Sequence, residues 1–156
     1  MGTYHKLFVY TNLLILFFTQ CQGQSIVETN KKVYSTILDQ EVEYSVILPP
    51  NYKESTNSSY PVIYLLHGIN GDQNSWLQRS RINILIDSLT EIGELGDFIY
   101  VMPAAYNSYY INNYNGAFRY MDFFVEDLLP AIDSIYRTTP GKTNRALLGI
   151  SMGGFG

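Results

Sequence analysis

From residue 42 to residue 48 the chain alternates: Val42, Tyr44, Val46 and Leu48 fall on one side and Glu43, Ser45 and Ile47 on the other. A period of two predicts a strand with one wetter face. Residues 33–38 form another β-rich run, and Asp39-Gln40-Glu41 between the two runs predicts a hairpin. Pro49-Pro50 ends the second strand, because proline cannot donate to a ladder. Residues 51–60 are polar and read as a loop.

The pattern then changes period. Residues 62–66 are wholly apolar without alternation, which suits a strand buried on both faces of a parallel sheet. A loop over residues 67–80 follows. Ile82, Leu85, Ile86 and Leu89 recur at helical spacing, with Gly93 as the stop. Residues 98–102 are a second buried strand closed by Pro103, and residues 104–117 are a Tyr/Asn-rich segment long enough for a functional loop. Phe124, Leu128, Ala131, Ile132 and Ile135 mark one face of a helix. Pro130 lies inside that pattern and predicts a kink or a split, since its ring displaces the bond to the Glu126 carbonyl. Residues 139–142 read as a turn and residues 145–150 as a last strand. An opening hairpin followed by β-α-β-α-β predicts the α/β class with a doubly wound sheet.

The first residues carry a different signal. Lys6 precedes an apolar stretch over residues 7–18 that is shorter than the roughly 20 residues of a spanning helix. It reads as an export signal over residues 1–23, cleaved after Gly23, which leaves no stable membrane span. Lipidation at Cys21 is the competing reading, weakened by Gln20 immediately before the cysteine. Cleavage after Gly23 removes Cys21, the single cysteine, and with it any disulfide. Residues 24–156 then form one domain, secreted or periplasmic.

Composition narrows the function classes. A hydrophobic content of 46% with 15% charged residues is that of a globular chain. The formal charge is −4 and no Lys/Arg cluster occurs, which argues against a nucleic-acid surface. Fourteen tyrosines stand against one tryptophan. Tyrosines line binding grooves but equally cap the edge of a core.

The chemistry is concentrated near the end of the chain. Gly149-Ile150-Ser151-Met152-Gly153 matches G-x-S-x-G, and Gly154 follows. Three fixed positions arise by chance in about one chain in twenty of this length, so context must decide. The context is an apolar strand, Ala146-Leu147-Leu148, as a nucleophile elbow requires. In that strand-to-helix turn Ser151 is the nucleophile. Glycines two residues before and after it avoid a Cβ colliding with neighbouring backbone, and Gly154 lets the following helix lie close. His67-Gly68 directly follows the buried strand that ends in Leu65-Leu66. A loop in that position supplies one oxyanion donor and the residue after the nucleophile the other, which predicts the backbone N–H groups of Ile69 and Met152. His67 reads as a loop anchor rather than a base, because the base follows the nucleophile in this fold.

Several separated motifs, in order, carry a resemblance. They are residues 61–68 (Pro-Val-Ile-Tyr-Leu-Leu-His-Gly) with Gly71 and Trp76, then Val101-Met102-Pro103 and Asn107-Ser108-Tyr109-Tyr110. Glu126-Asp127-Leu128-Leu129-Pro130 follows, and last Asn144-Arg145 leading into the elbow. Over about residues 40–156 the chain resembles the "Putative esterase" family of α/β-hydrolases, which includes S-formylglutathione hydrolase, feruloyl and acetyl xylan esterases and the mycolyltransferases. The resemblance implies the N-terminal part of the α/β-hydrolase fold and cleavage of carboxylic esters through an acyl-serine, without metal or organic cofactor. Ser151 matches the family nucleophile. Ala104-Ala105 departs from the Asp-Gly that relatives commonly carry after Pro103.

The chain has two histidines, His5 and His67. The triad base and its carboxylate are therefore expected after Gly156, which makes residues 24–156 the N-terminal portion of a hydrolase domain and predicts an inactive, poorly stable fragment. The expected substrate is a small-molecule or polysaccharide ester, with plant-polysaccharide acyl or feruloyl groups as the leading case. An acyltransferase of the same fold is the nearest alternative. A secreted carbohydrate-binding module is another, but it leaves the elbow unexplained.

Overall fold

The computed structural model describes residues 23–156. The proposed export signal and Cys21 lie outside the described residues, as does all but the last residue of the region before the predicted cleavage point. Five strands form one sheet in the order β1-β2-β4-β3-β5. They are β1 (Ile26–Ser35), β2 (Gln40–Leu48), β3 (Val62–Leu66), β4 (Ile99–Pro103) and β5 (Arg145–Gly149). β1 and β2 are the predicted hairpin, and β2 lies antiparallel on β4. β3 runs parallel to both β4 and β5. This mixed sheet with helices on both faces is the N-terminal part of an α/β-hydrolase fold. β1 begins earlier than its β-rich run, at Ile26, and Ile37 and Leu38 belong to the turn instead.

Alternation along the strands divides the core in two. Val42, Tyr44, Val46, Val62, Tyr64, Leu66, Ile99 and Val101 pack on one face with Tyr120, Phe123, Leu128 and Ile132. Ile47, Leu65, Tyr100 and Met102 pack on the other with Ile86, beside Trp76, Leu77 and Ile82. The second face of β2 is therefore not wet. Ile47 is 1% exposed, and Ser45 is fully buried with its hydroxyl donating to Asn74 Oδ1 at 2.7 Å. The face is dry because two helices cover it: α1 (Ser75–Ser80), which lies inside the segment expected to be loop, and α2 (Ile82–Glu91). α2 stops before Gly93, which takes φ 76°, as predicted. Leu85 departs from the predicted apolar face and is exposed, with Ile86 carrying the burial.

On the opposite face one helical run spans residues 120–135. It starts as α3 (Tyr120–Asp122), widens to a π turn (Phe123–Leu128) and returns as α4 (Leu129–Ile135). The N–H of Leu129 reaches back five residues to the Phe124 carbonyl. Pro130 does not end the run, and the π turn directly precedes it. It is the second residue of α4, where the wide register returns to the α-helical one. The π turn also shifts the buried face to Phe123, Leu128 and Ile132, leaving Ile135 exposed. No helix among the described residues is long and apolar enough to cross a membrane.

Candidate active site

β5 ends at Gly149 and α5 (Met152–Phe155) begins after two intervening residues, so Ser151 sits at the point of a strand-to-helix turn. Its backbone takes φ 55° and ψ −116°, a conformation non-glycine residues rarely hold. The two flanking glycines explain how the turn closes. A Cβ on Gly149 would stand 2.0 Å from the Gly153 carbonyl oxygen, and one on Gly153 would stand 2.3 Å from that of Leu66. No side chain can occupy either place. Gly154 is different: its nearest neighbour would be 3.4 Å away, so close approach of the helix does not depend on it. The packing leaves the Ser151 side chain exposed at the rim while Met152 and Gly153 are buried behind it.

The loop after β3 lies directly against this turn. β3 and β5 pair as far as Leu66 and Gly149, and the Ile150 N–H donates to the Leu66 carbonyl at 3.2 Å. One residue further on, a Cβ at Gly68 would be 3.5 Å from the Ser151 Cβ. Some of the loop's N–H groups are engaged, while those of His67 and Gly68 have no acceptor among the described residues. That of Asn70 donates to Asn107 Oδ1 at 2.9 Å, and that of Gly71 to the Gly68 carbonyl at 3.0 Å. The N–H of Ile69 has no acceptor among the described residues. In α5 the N–H groups of Gly153, Gly154 and Phe155 all have acceptors, and that of Met152 has none among the described residues. The N–H groups of Ile69 and Met152, the two expected from the sequence, are thus both without an acceptor among the described residues.

His67 is 1% exposed and holds a second loop to the first. Its Nε2 accepts the Ala105 N–H at 3.0 Å, which places the ring proton on Nδ1, 2.7 Å from the Gly68 carbonyl that accepts it. Burial pushes its pKa below the usual histidine value, against the Gly68 carbonyl and Asp72, which act the other way. A ring with both nitrogens committed to main chain is an anchor, not a base. The His67 carbonyl in turn accepts the Tyr110 hydroxyl at 3.1 Å.

The model of the family described as "Putative esterase" matches residues 35–156. The chain belongs to this esterase family. It is 32% identical over 116 residues to an endo-1,4-beta-xylanase/feruloyl esterase of Xylanibacter ruminicola, covering 70% of this chain and 16% of that protein. It is 35% identical over 116 residues to an esterase of Mycobacterium tuberculosis, covering 72% of this chain and 24% of that one. Among solved structures it superposes on a ferulic acid esterase with a TM-score of 0.76 at 33% identity, covering 85% of this chain and 52% of the other. A ferulic acid esterase of Anaeromyces mucronatus, solved with ferulic acid, gives 0.69 at 26% identity, covering 86% and 52%. The chain spans about half the length of these solved esterases and a smaller share of the two curated relatives.

Within this esterase chain the Ala104-Ala105 departure has a structural account. Both alanines are buried and act through main chain, Ala105 by its N–H to His67 and Ala104 by its carbonyl, which accepts the Tyr120 hydroxyl at 2.9 Å. Such bonds do not require a particular side chain there. Sequence reasoning missed Asn70 as a partner of the Asn107 it had singled out. A 37-residue separation leaves no local signal of that contact.

Proposed function

We propose that the complete protein is a serine carboxylic-ester hydrolase in which Ser151 is the nucleophile. The observation that carries this reading is the backbone of Ser151, held at φ 55° and ψ −116° between two glycines that admit no side chain. Ser151 Oγ attacks the acyl carbonyl and its proton passes to a base, which we place with its orienting carboxylate after Gly156. The N–H groups of Ile69 and Met152 receive the oxyanion, a contribution of about 3–4 kcal/mol per donor. Collapse expels the alcohol with the proton, and water then releases the acid from the acyl-serine.

For the substrate we propose an acyl or feruloyl ester of plant polysaccharide. Two relatives named as feruloyl or ferulic acid esterases support it at 32% and 33% identity. So does the Tyr/Asn-rich loop after β4, which carries exposed Tyr106, Tyr109 and Tyr114. Its Tyr109 ring meets Phe155 of α5 edge-on at 5.8 Å, which sets that loop beside the elbow. An exported domain from residue 24 onward, released by cleavage after Gly23, fits such a polymer, which cannot enter a cell.

Ser151→Ala in the full-length protein should abolish both fluorophosphonate labelling and release of ferulate from feruloylated arabinoxylan oligosaccharides. Labelling that survives the substitution overturns Ser151. Labelling lost together with activity confined to p-nitrophenyl acetate keeps the serine and overturns the feruloyl substrate.

A further inference from the structure

Two loops meet beside Ser151, and four hydrogen bonds join them. Two are buried and belong to His67: its Nε2 accepts the Ala105 N–H, and its carbonyl accepts the Tyr110 hydroxyl. The other two are exposed and run between a single pair of asparagines. Asn107 Oδ1 accepts the N–H of Asn70 at 2.9 Å, and Asn107 Nδ2 donates to Asn70 Oδ1 at 3.1 Å. We propose that Asn107 is a positioning residue, which fixes the Asn70 backbone so that the preceding N–H, that of Ile69, is the one offered to the acyl oxygen. This rests on the serine-hydrolase reading above.

Three observations lead there. Asn70 stands at φ 58°, a left-handed conformation that asparagine adopts more readily than other non-glycine residues. The group that holds it is the Asn107 side chain, which accepts the Asn70 N–H and so removes it from competition as a donor to substrate. The buried His67 pair already ties the loops together, so the exposed pair is not needed for that. What it adds is the orientation of residues 69–70, where Ile69 is 46% exposed at the site's edge. The side-chain type matters as well. Only a carboxamide offers an acceptor to the Asn70 N–H and a donor to its Oδ1 together. A carboxylate would set two acceptors and a negative charge beside a developing oxyanion.

The test uses the full-length esterase with p-nitrophenyl butyrate, reading kcat, KM and Tm separately. Asn107→Ala should lower kcat about tenfold or more, as a donor displaced by a fraction of an ångström does, with KM within about twofold and Tm within about 2 °C. Asn107→Asp should fall at least as far. An unchanged kcat in Asn107→Ala overturns the proposal. So does a loss that disappears once scaled to the folded fraction. Ser151→Ala run alongside separates the two readings. Turnover retained there brings down the nucleophile and this inference with it, whereas turnover lost there but unchanged in Asn107→Ala brings down this inference alone.

Discussion

At the scale of single residues, Gly149 and Gly153 are where spacing in the sequence and packing in the structure coincide. A Cβ at Gly153 would enter the Leu66 backbone, and backbone at the centre of a sheet cannot move aside as a side chain can. Gly153→Ala in the full-length protein should therefore cost about 3 kcal/mol or more. Gly154→Ala, with 3.4 Å of clearance, should stay within about 1 kcal/mol. Urea denaturation of the two variants beside the parent checks both, and equal losses would contradict this account of the elbow. The elbow was legible because all its parts lie within five residues, so its geometry is written in the local spacing. The Asn70–Asn107 pair was not, because the fold brings together residues 37 positions apart and nothing near either one marks the other.

At the scale of elements, strands were easier to read than helices. β3 and β4 announced themselves as short apolar runs, because a strand buried on both faces needs apolar residues at every position. α1 left no such trace: it has six residues, no side-chain cap and no buried residue. The π turn was hidden for another reason. The run buries Tyr120, Phe123, Leu128 and Ile132, and the step from 123 to 128 fits no 3.6-residue template. Ser45 and Ile47 were assigned to a wet face because alternation reports polarity, not whether helices later cover that face. The loop–loop junction at His67 also belongs to this scale and carries a pH dependence. Its folded pKa lies below the unfolded value of about 6.5, so as pH falls the unfolded chain binds the proton first. The stabilisation from neutral His67 is complete above about pH 6.5 and is lost as pH drops toward the folded pKa. Protonation sets an N–H on Nε2 against the Ala105 N–H and parts the loops. The shifted carboxylates, Asp122 and Asp127, have pKa values below 3.8 and titrate outside that window. Tm of the full-length protein should therefore fall between pH 7 and 5, and His67→Gln should flatten the slope. A flat profile in the parent would remove the anchor's pH role.

At the scale of the whole molecule, the order of the strands follows from the sequence pattern. The distribution of catalytic parts does not follow from pattern alone. The described residues present Ser151 in a strained strand-to-helix turn, with the Ile69 and Met152 N–H groups unengaged, but their one histidine has both ring nitrogens held by main chain. A serine hydroxyl without a base attacks esters poorly, whatever donors surround it. Among the described residues β5 is an edge strand, where Leu147 and Leu148 are more than half exposed, as are Ile150 and Phe155 beyond it. Beside them lies a cavity of about 400 Å³ lined by Tyr64, Leu66, Phe124, Leu129 and Leu147. An apolar face on an edge strand favours self-association over a stable monomer. The 156-residue chain prepared alone should therefore bind a hydrophobic dye and elute in associated forms. It should also hydrolyse p-nitrophenyl acetate no faster than its own Ser151→Ala variant. Turnover that Ser151→Ala removes would mean that the chain carries a functional base, and would return His67 to consideration despite its two backbone bonds.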